Sequence, residues 1–183
     1  TDYSKYKAEC EKILDPYNDE NFTTVTIRPA TVCGYSKRLR LDLSVNMLTY
    51  QAVKNKLITV FGGKQIRPNI HIDDMVSLYM YFYDNKKIKG IFNAGFENLS
   101  ILDIAKLIQK KIDCKIKILK SNDPRSYRLD SSKIVSLGFN PSKNVNDAII
   151  EGKELFSNRK FKIKDHNLNL KQMLKLNIKW EFL

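Results

Sequence analysis

Apolar positions along the chain recur with two different periods, and the segments that carry them alternate. From Tyr3 to Leu14 the stripe Tyr6, Cys10, Ile13 and Leu14 follows the helical repeat, and Pro16 ends it. Thr23-Thr24-Val25-Thr26-Ile27-Arg28 is β-branched and extended, and Pro29 keeps Arg28 out of the α region, so a strand leads into a loop. The pattern then predicts a helix over Leu43 to Asn55, a short strand over Leu57 to Phe61 closed by Gly62-Gly63, and an aromatic-rich helix over Asp73 to Tyr83. A strand over Gly90 to Ala94 and a helix over Ser100 to Ile112 follow, with Ser100 as its cap. In Lys115 to Lys120 alternation predicts a strand with Ile116 and Ile118 facing the core and the lysines facing water. Asp130 to Leu137 reads as a short helix closed by Gly138, and Val145 to Phe156 as another that begins after Asn144. Strands and helices taking turns predict an α/β protein.

Composition narrows the class without naming a function. The 183 residues are 43% hydrophobic and 28% charged, enough apolar material for a core and too little Gly or Pro for a fibrous chain. No apolar run approaches the roughly 20 residues of a membrane span, and the first residues lack a secretory signal pattern, so the expectation is a cytoplasmic protein without a membrane span. Cys10, Cys33 and Cys114 are odd in number and lack CxxC spacing, which fits a reducing compartment without structural zinc. The formal charge of +12 comes from lysines scattered at the ends of apolar segments, the pattern of a solvated surface and not of a nucleic-acid interface. Beyond Phe156 the character changes. Arg159 to Leu183 holds seven basic residues against two acids, with Leu168, Leu170, Met173 and Trp180 between them, and reads as a basic tail or arm that docks on the body or on a partner.

Tyr3 and Lys7 stand one helical turn apart on one face, a spacing at which an ammonium can favour a phenolate. Many surface helices carry such a pair by chance. Further segments follow in order: Ile27-Arg28-Pro29-Ala30-Thr31-Val32-Cys33-Gly34, then Gly62-Gly63-Lys64-Gln65-Ile66-Arg67-Pro68-Asn69-Ile70-His71-Ile72-Asp73-Asp74, then Asn93-Ala94-Gly95 with Leu99-Ser100, and Asp123-Pro124-Arg125-Ser126-Tyr127-Arg128-Leu129-Asp130-Ser131-Ser132-Lys133. From Tyr3 to Phe156 this ordered set resembles the extended short-chain dehydrogenase/reductases, specifically the NAD-dependent nucleotide-sugar epimerases and dehydratases. Tyr3-Ser4-Lys5-Tyr6-Lys7 is similar to their YxxxK helix.

The resemblance implies the C-terminal part of a Rossmann-type protein with its smaller α/β substrate-binding domain. Residues 1–34 would be the catalytic helix and following strand of an incomplete NAD-binding domain, 35–156 mainly the nucleotide-sugar domain with returning Rossmann elements, and 157–183 the basic tail. It implies Tyr3 and Lys7 as catalytic and, with Pro29, as cofactor-binding residues for NAD or NADP in a full-length parent. It implies Arg67 and Arg125 as a clamp on the diphosphate of a nucleotide sugar, suited to a guanidinium fork, with Asn46, Tyr127 and Arg128 beside them. Homodimers or self-association are expected; nucleic acid is not.

Three features depart from the family. The sequence holds no GxxGxxG turn for a dinucleotide pyrophosphate and no upstream Ser/Thr partner for the tyrosine, and Cys33 stands where an aromatic is common. A different class therefore competes: a non-catalytic nucleotide-sugar-binding or subunit-interaction module. His71 reads as a structural histidine, and Asp73-Asp74 as an acid pair at a helix start, with no metal expected.

Overall fold

The computed structural model of the protein describes residues 2–176. The elements run α1 (Asp2–Leu14), β1 (Val25–Pro29), β2 (Thr31–Cys33), α2 (Ser44–Asn55), β3 (Leu57–Phe61), β4 (Ile66–His71), α3 (Ile72–Asp84), β5 (Gly90–Ala94), β6 (Glu97–Ser100), α4 (Ile101–Gln109), β7 (Lys115–Leu119), α5 (Ser132–Val135), α6 (Val145–Ser157) and α7 (Asn169–Lys175). The alternation predicted an α/β protein, and that is the architecture. Among the described residues no helix is long and apolar enough to cross a membrane.

Three small sheets share the work. β1 and β5 pair in parallel, as do β3 and β7, while β4 lies between parallel β2 and antiparallel β6. The pattern missed this three-stranded sheet. Its outer strands span only three and four residues, too short to show a period, and β4 carries Arg67 and Pro68 among its apolar positions. Pro68 is tolerated because its register partner is Asn98 of β6, while β2 pairs only from Asn69 onward.

The larger core joins α2, α4 and α6 to β3 through Val45, Leu48, Ile58, Val60, Ile108 and Ile149. Each fully buried aliphatic side chain there contributes about 1.5–3 kcal/mol. A second core packs α3 against β5, with Phe82 and Phe92 at 4.9 Å between ring centroids. One expectation fails on β7. Ile116 packs on the larger core, but Ile118 is 54% exposed although its register partner Val60 is buried, because the helices that cover β3 leave the far end of the outer strand open.

Local chemistry sets the helix starts. The Asn144 side chain accepts from the backbone N–H groups of Asn146 and Asp147, and Asp147 returns a bond to the Asn144 N–H, a reciprocal cap for α6. Ser100 accepts from the Asp103 N–H, as its position predicted, although α4 ends at Gln109 instead of Ile112. At α3 the pair of acids divides. Both lie in the first turn, as expected, but Asp74 is buried and accepts from the N–H and hydroxyl of Ser142 and from the Lys143 N–H, so it ties α3 to the loop before α6.

The first part of the tail docks, while Leu170, Leu174 and Leu176 stay exposed and α7 buries no residue. Asn167 is buried, donates to the Leu39 carbonyl at 2.7 Å and accepts from the Leu41 N–H, and Phe161 packs on Phe156 and Tyr50. Trp180 and Lys179 lie outside the described residues.

Candidate functional site

β1 ends at Pro29, and the chain steps through Ala30 straight into β2, so the carboxyl end of the β1–β5 pair opens onto the three-stranded sheet. Ligands of α/β proteins bind outside the carboxyl ends of strands. A cleft of about 480 Å³ lies there, lined by Tyr3, Pro29, Thr31, Gly34, Asn46 and Tyr127 among others. A larger hollow of about 810 Å³ sits at the opposite end of β1, between Asp19, Glu20 and the lysines 86, 87 and 89, and gathers no such set of groups.

Four of the residues singled out from the sequence, Tyr3, Pro29, Asn46 and Tyr127, thus share one wall. Tyr3 is 72% exposed, with the Lys7 ammonium 5.9 Å from its ring centroid. The helix beneath them is loosely held. α1 buries no residue, and Arg28 of β1 grips it through Glu11, with Nε to Oε1 at 2.8 Å. Asn46 is buried and its amide is engaged: Oδ1 accepts from the Gly34 N–H and Nδ2 donates to the Arg40 carbonyl. Its second amide proton has no partner among the described residues.

A second cleft, about 400 Å³, adjoins the first and shares Thr31 and Leu43 with it. Arg67, Arg125, Asp123, Phe61 and Ser44 line it. Arg67 and Arg125 do come together, on one carboxylate: Arg125 donates to Asp123 from Nε and Nη2, both at 2.8 Å, and Arg67 from Nη2 at 3.2 Å. The bonds from the Arg125 side chain and N–H hold the Asp123 carboxyl down to about 2, with Arg67 adding to them. Arg67 also donates to the carbonyls of Ile66 and Arg125 and lies 5.7 Å from the Tyr127 ring centroid. Arg128 is exposed and lines neither cleft. Phe61 and Ser44 were not foreseen. In an alternating strand an apolar end residue looks like core, and only the structure shows Phe61 turned outward beside the arginines. The Ser44 hydroxyl, buried in the first turn of α2, has no partner among the described residues.

Beneath the first cleft lies a cluster that resembles a metal site, since His71, Asp73 and Glu151 bring ligand atoms within 4.8 Å of one another. The arrangement is already satisfied. His71 Nδ1 accepts from the Asp73 N–H, Nε2 faces Glu151 at 3.2 Å, and the Lys143 ammonium lies 3.0 Å from Glu151 and 3.7 Å from Asp73, where a cation would sit. Burial pushes the Glu151 carboxyl up, but the Tyr35 N–H, Lys143 and His71 together outweigh it and leave it lowered. Gly34 closes over the imidazole with φ +98°, and a Cβ there would stand 2.6 Å from His71 Nε2. The Cys33 thiol is no nucleophile: burial, with Glu97 and Glu151 near it, pushes it up to about 12.

Residues 1–95 match the NAD dependent epimerase/dehydratase family. The chain belongs to that family. A similar family member is CDP-paratose 2-epimerase of Salmonella typhi, 34% identical over an alignment 159 residues long, which covers 78% of this chain and 47% of that protein. The chain therefore spans about half the length of this relative. Among solved structures, UDP-glucuronic acid 4-epimerase of Bacillus cereus, in complex with UDP-glucuronic acid and NAD, is 30% identical with a TM-score of 0.62, over 74% of this chain and 46% of that one. UDP-N-acetylglucosamine 4-epimerase of Bacillus cereus shares the fold at a TM-score of 0.72 and 22% identity, over 85% and 56% of the two chains. The structural likenesses show a Rossmann-type α/β fold, and the family match places it among the extended short-chain dehydrogenase/reductases.

Proposed function

We propose that this chain supplies the catalytic helix and the nucleotide-sugar site of an NAD-dependent epimerase or dehydratase. The observation that carries the proposal is the shared wall of the two clefts: Tyr3 stands along one and the Arg67–Arg125 pair along the other, joined at Thr31 and Leu43. In this arrangement the arginines hold the diphosphate, Phe61 offers a face for the base, and the sugar reaches back toward Tyr3. Tyr3 Oη accepts the proton of a sugar hydroxyl, with the Lys7 ammonium standing over its ring. Tyr3, Lys7 and Pro29 fit the nicotinamide end of a dinucleotide, because a phenol, an ammonium and a flat apolar edge meet there beside the open cleft. NAD or NADP held by Tyr3, Lys7 and Pro29 would supply the hydride acceptor for oxidation of the sugar carbon to a ketone.

Residues 1–34 would then belong to the cofactor-binding domain, 35–156 mainly to the sugar-binding domain, and 157–183 to a basic arm. Exposed Tyr6, Ile13 and Leu14 on α1 support self-association, including a homodimer, and a cytoplasmic setting suits a soluble nucleotide sugar.

A second reading is favoured by the loose hold on α1, since a binding module needs no rigid catalytic helix. Tyr3→Phe in the intact enzyme separates the two. Turnover is expected to fall at least about 100-fold, the scale of a lost general base, with nucleotide-sugar affinity kept within a few fold. Unchanged turnover overturns Tyr3 as the base, whereas an intact protein that shows no turnover and releases no nicotinamide on denaturation favours the binding module.

A further inference from the structure

We infer that Asp123 is an internal anion that occupies the arginine pair while the site is empty, and that it sets which anions the site accepts. The inference rests on Arg67 and Arg125 being the diphosphate clamp proposed above. Three observations carry it.

The first is geometric. Asp123 presents one carboxylate oxygen to Arg125 Nε and the other to Nη2 of both arginines, the contacts a phosphate would make with the same forks. Second, the two arginines are held differently. Arg67, with a side chain only 15% exposed, is fixed by the Ile66 and Arg125 carbonyls and the Tyr127 ring, whereas the Arg125 side chain is 76% exposed and bonds to Asp123. Third, the loop itself is divided. Ser126, Tyr127, Leu129 and Asp130 are laced to β4, β5 and β6, through Ile66, Asn98 and Asn93, while residues 121–125 reach the body through Arg67. An arriving diphosphate can take the Arg125 fork from Asp123 without disturbing the sheet.

The consequence is selectivity. Asp123 leaves one net positive charge where the two arginines alone would leave two. A diphosphate esterified at both ends carries one charge per phosphate, but a free terminal phosphate carries close to a second. The resident carboxylate therefore opposes the free nucleotide more than the sugar ester, and a like charge of this kind discriminates by repulsion.

The test is calorimetry on the full chain with uridine diphosphate and its glucose ester, for wild type, Asp123→Asn, Asp123→Glu and Arg67→Lys. Asp123→Asn should bind the free diphosphate about five- to ten-fold tighter, the scale of one solvent-exposed like-charge contact, with a smaller gain for the ester. Asp123→Glu should keep the wild-type preference. If Asp123→Asn binds both ligands equally or more weakly than wild type while Arg67→Lys still loses affinity, Asp123 only positions the arginines and the inference is overturned. If Arg67→Lys binds as wild type, or no form binds, the clamp itself fails. Should Asp123→Asn not fold, the Nε–H resonance of Arg125 in the wild-type chain reads the same exchange. It should shift when inorganic pyrophosphate binds, and a bound pyrophosphate that leaves it unmoved overturns the inference.

Discussion

The two ends of the groove are built in opposite ways. Tyr3 stands on a helix that buries none of its residues and is tied to β1 by the Arg28–Glu11 ion pair, whereas Arg67 stands on the middle strand of a sheet flanked by helices with buried faces. The difference shows where this chain keeps its free energy of folding. The arginine end is assembled from elements that cap and cover one another, and the tyrosine end presents its chemistry on an element that the described residues barely cover.

Paired substitutions test the contrast most strongly. Ile149→Ala, at a fully buried position of α6, should cost about 2–5 kcal/mol of stability by chemical denaturation, while Ile13→Ala on exposed α1 should stay within about 0.5 kcal/mol. Equal costs would mean that α1 packs on something in solution and that the contrast is wrong. Next in size is Arg67→Lys. Loss of the bidentate fork should weaken nucleoside diphosphate binding by about 1.5–3 kcal/mol, roughly ten- to hundred-fold, with a salt dependence that a calorimeter resolves.

The smallest effect is one of pH. Burial pushes the Glu97 carboxyl up, against the Val145 N–H that bonds it and with Asp147 adding to the rise. A carboxyl raised in the folded state binds more protons there than in the unfolded chain, so its contribution to stability falls as pH rises from the unfolded value through the folded one. Replacing it in Glu97→Gln, which keeps an acceptor for Val145, should raise stability at pH 7 relative to wild type and leave the two alike near pH 4. Urea midpoints at the two pH values check this, and a variant less stable at pH 7 would show that the carboxylate charge is needed at the start of α6.

Legibility in the sequence followed element length. α1, β3, β5 and α6 carry whole periods or clear caps, and their positions came within a residue or two of the pattern. β2, β4 and β6 escaped, since short strands with Pro68 and Arg67 inside them have no period to read. The site was legible from ordered motifs more than from physics. Tyr3, Pro29, Asn46 and Tyr127 meet across α1, β1, α2 and the late loop, a convergence that spacing along a chain cannot show. Asp123 lay in plain view within the arginine segment, but its bond to Arg67, 56 residues away, exists only in the fold.

The lysines of β7 lead to a different question, that of why an open sheet edge does not recruit other chains. β7 pairs on one side with β3, and its outer row of backbone donors and acceptors is flanked by exposed Lys115 and Lys117 and followed by Lys120. Charged side chains spaced along such an edge make any added strand, including a second copy of the same lysine-rich segment, meet repulsion. Part of the +12 net charge thereby acts as a guard against fibre-like growth. Neutralising Lys115 and Lys117 would expose a strand of Ile116, Ile118 and Leu119 ready to template its own kind.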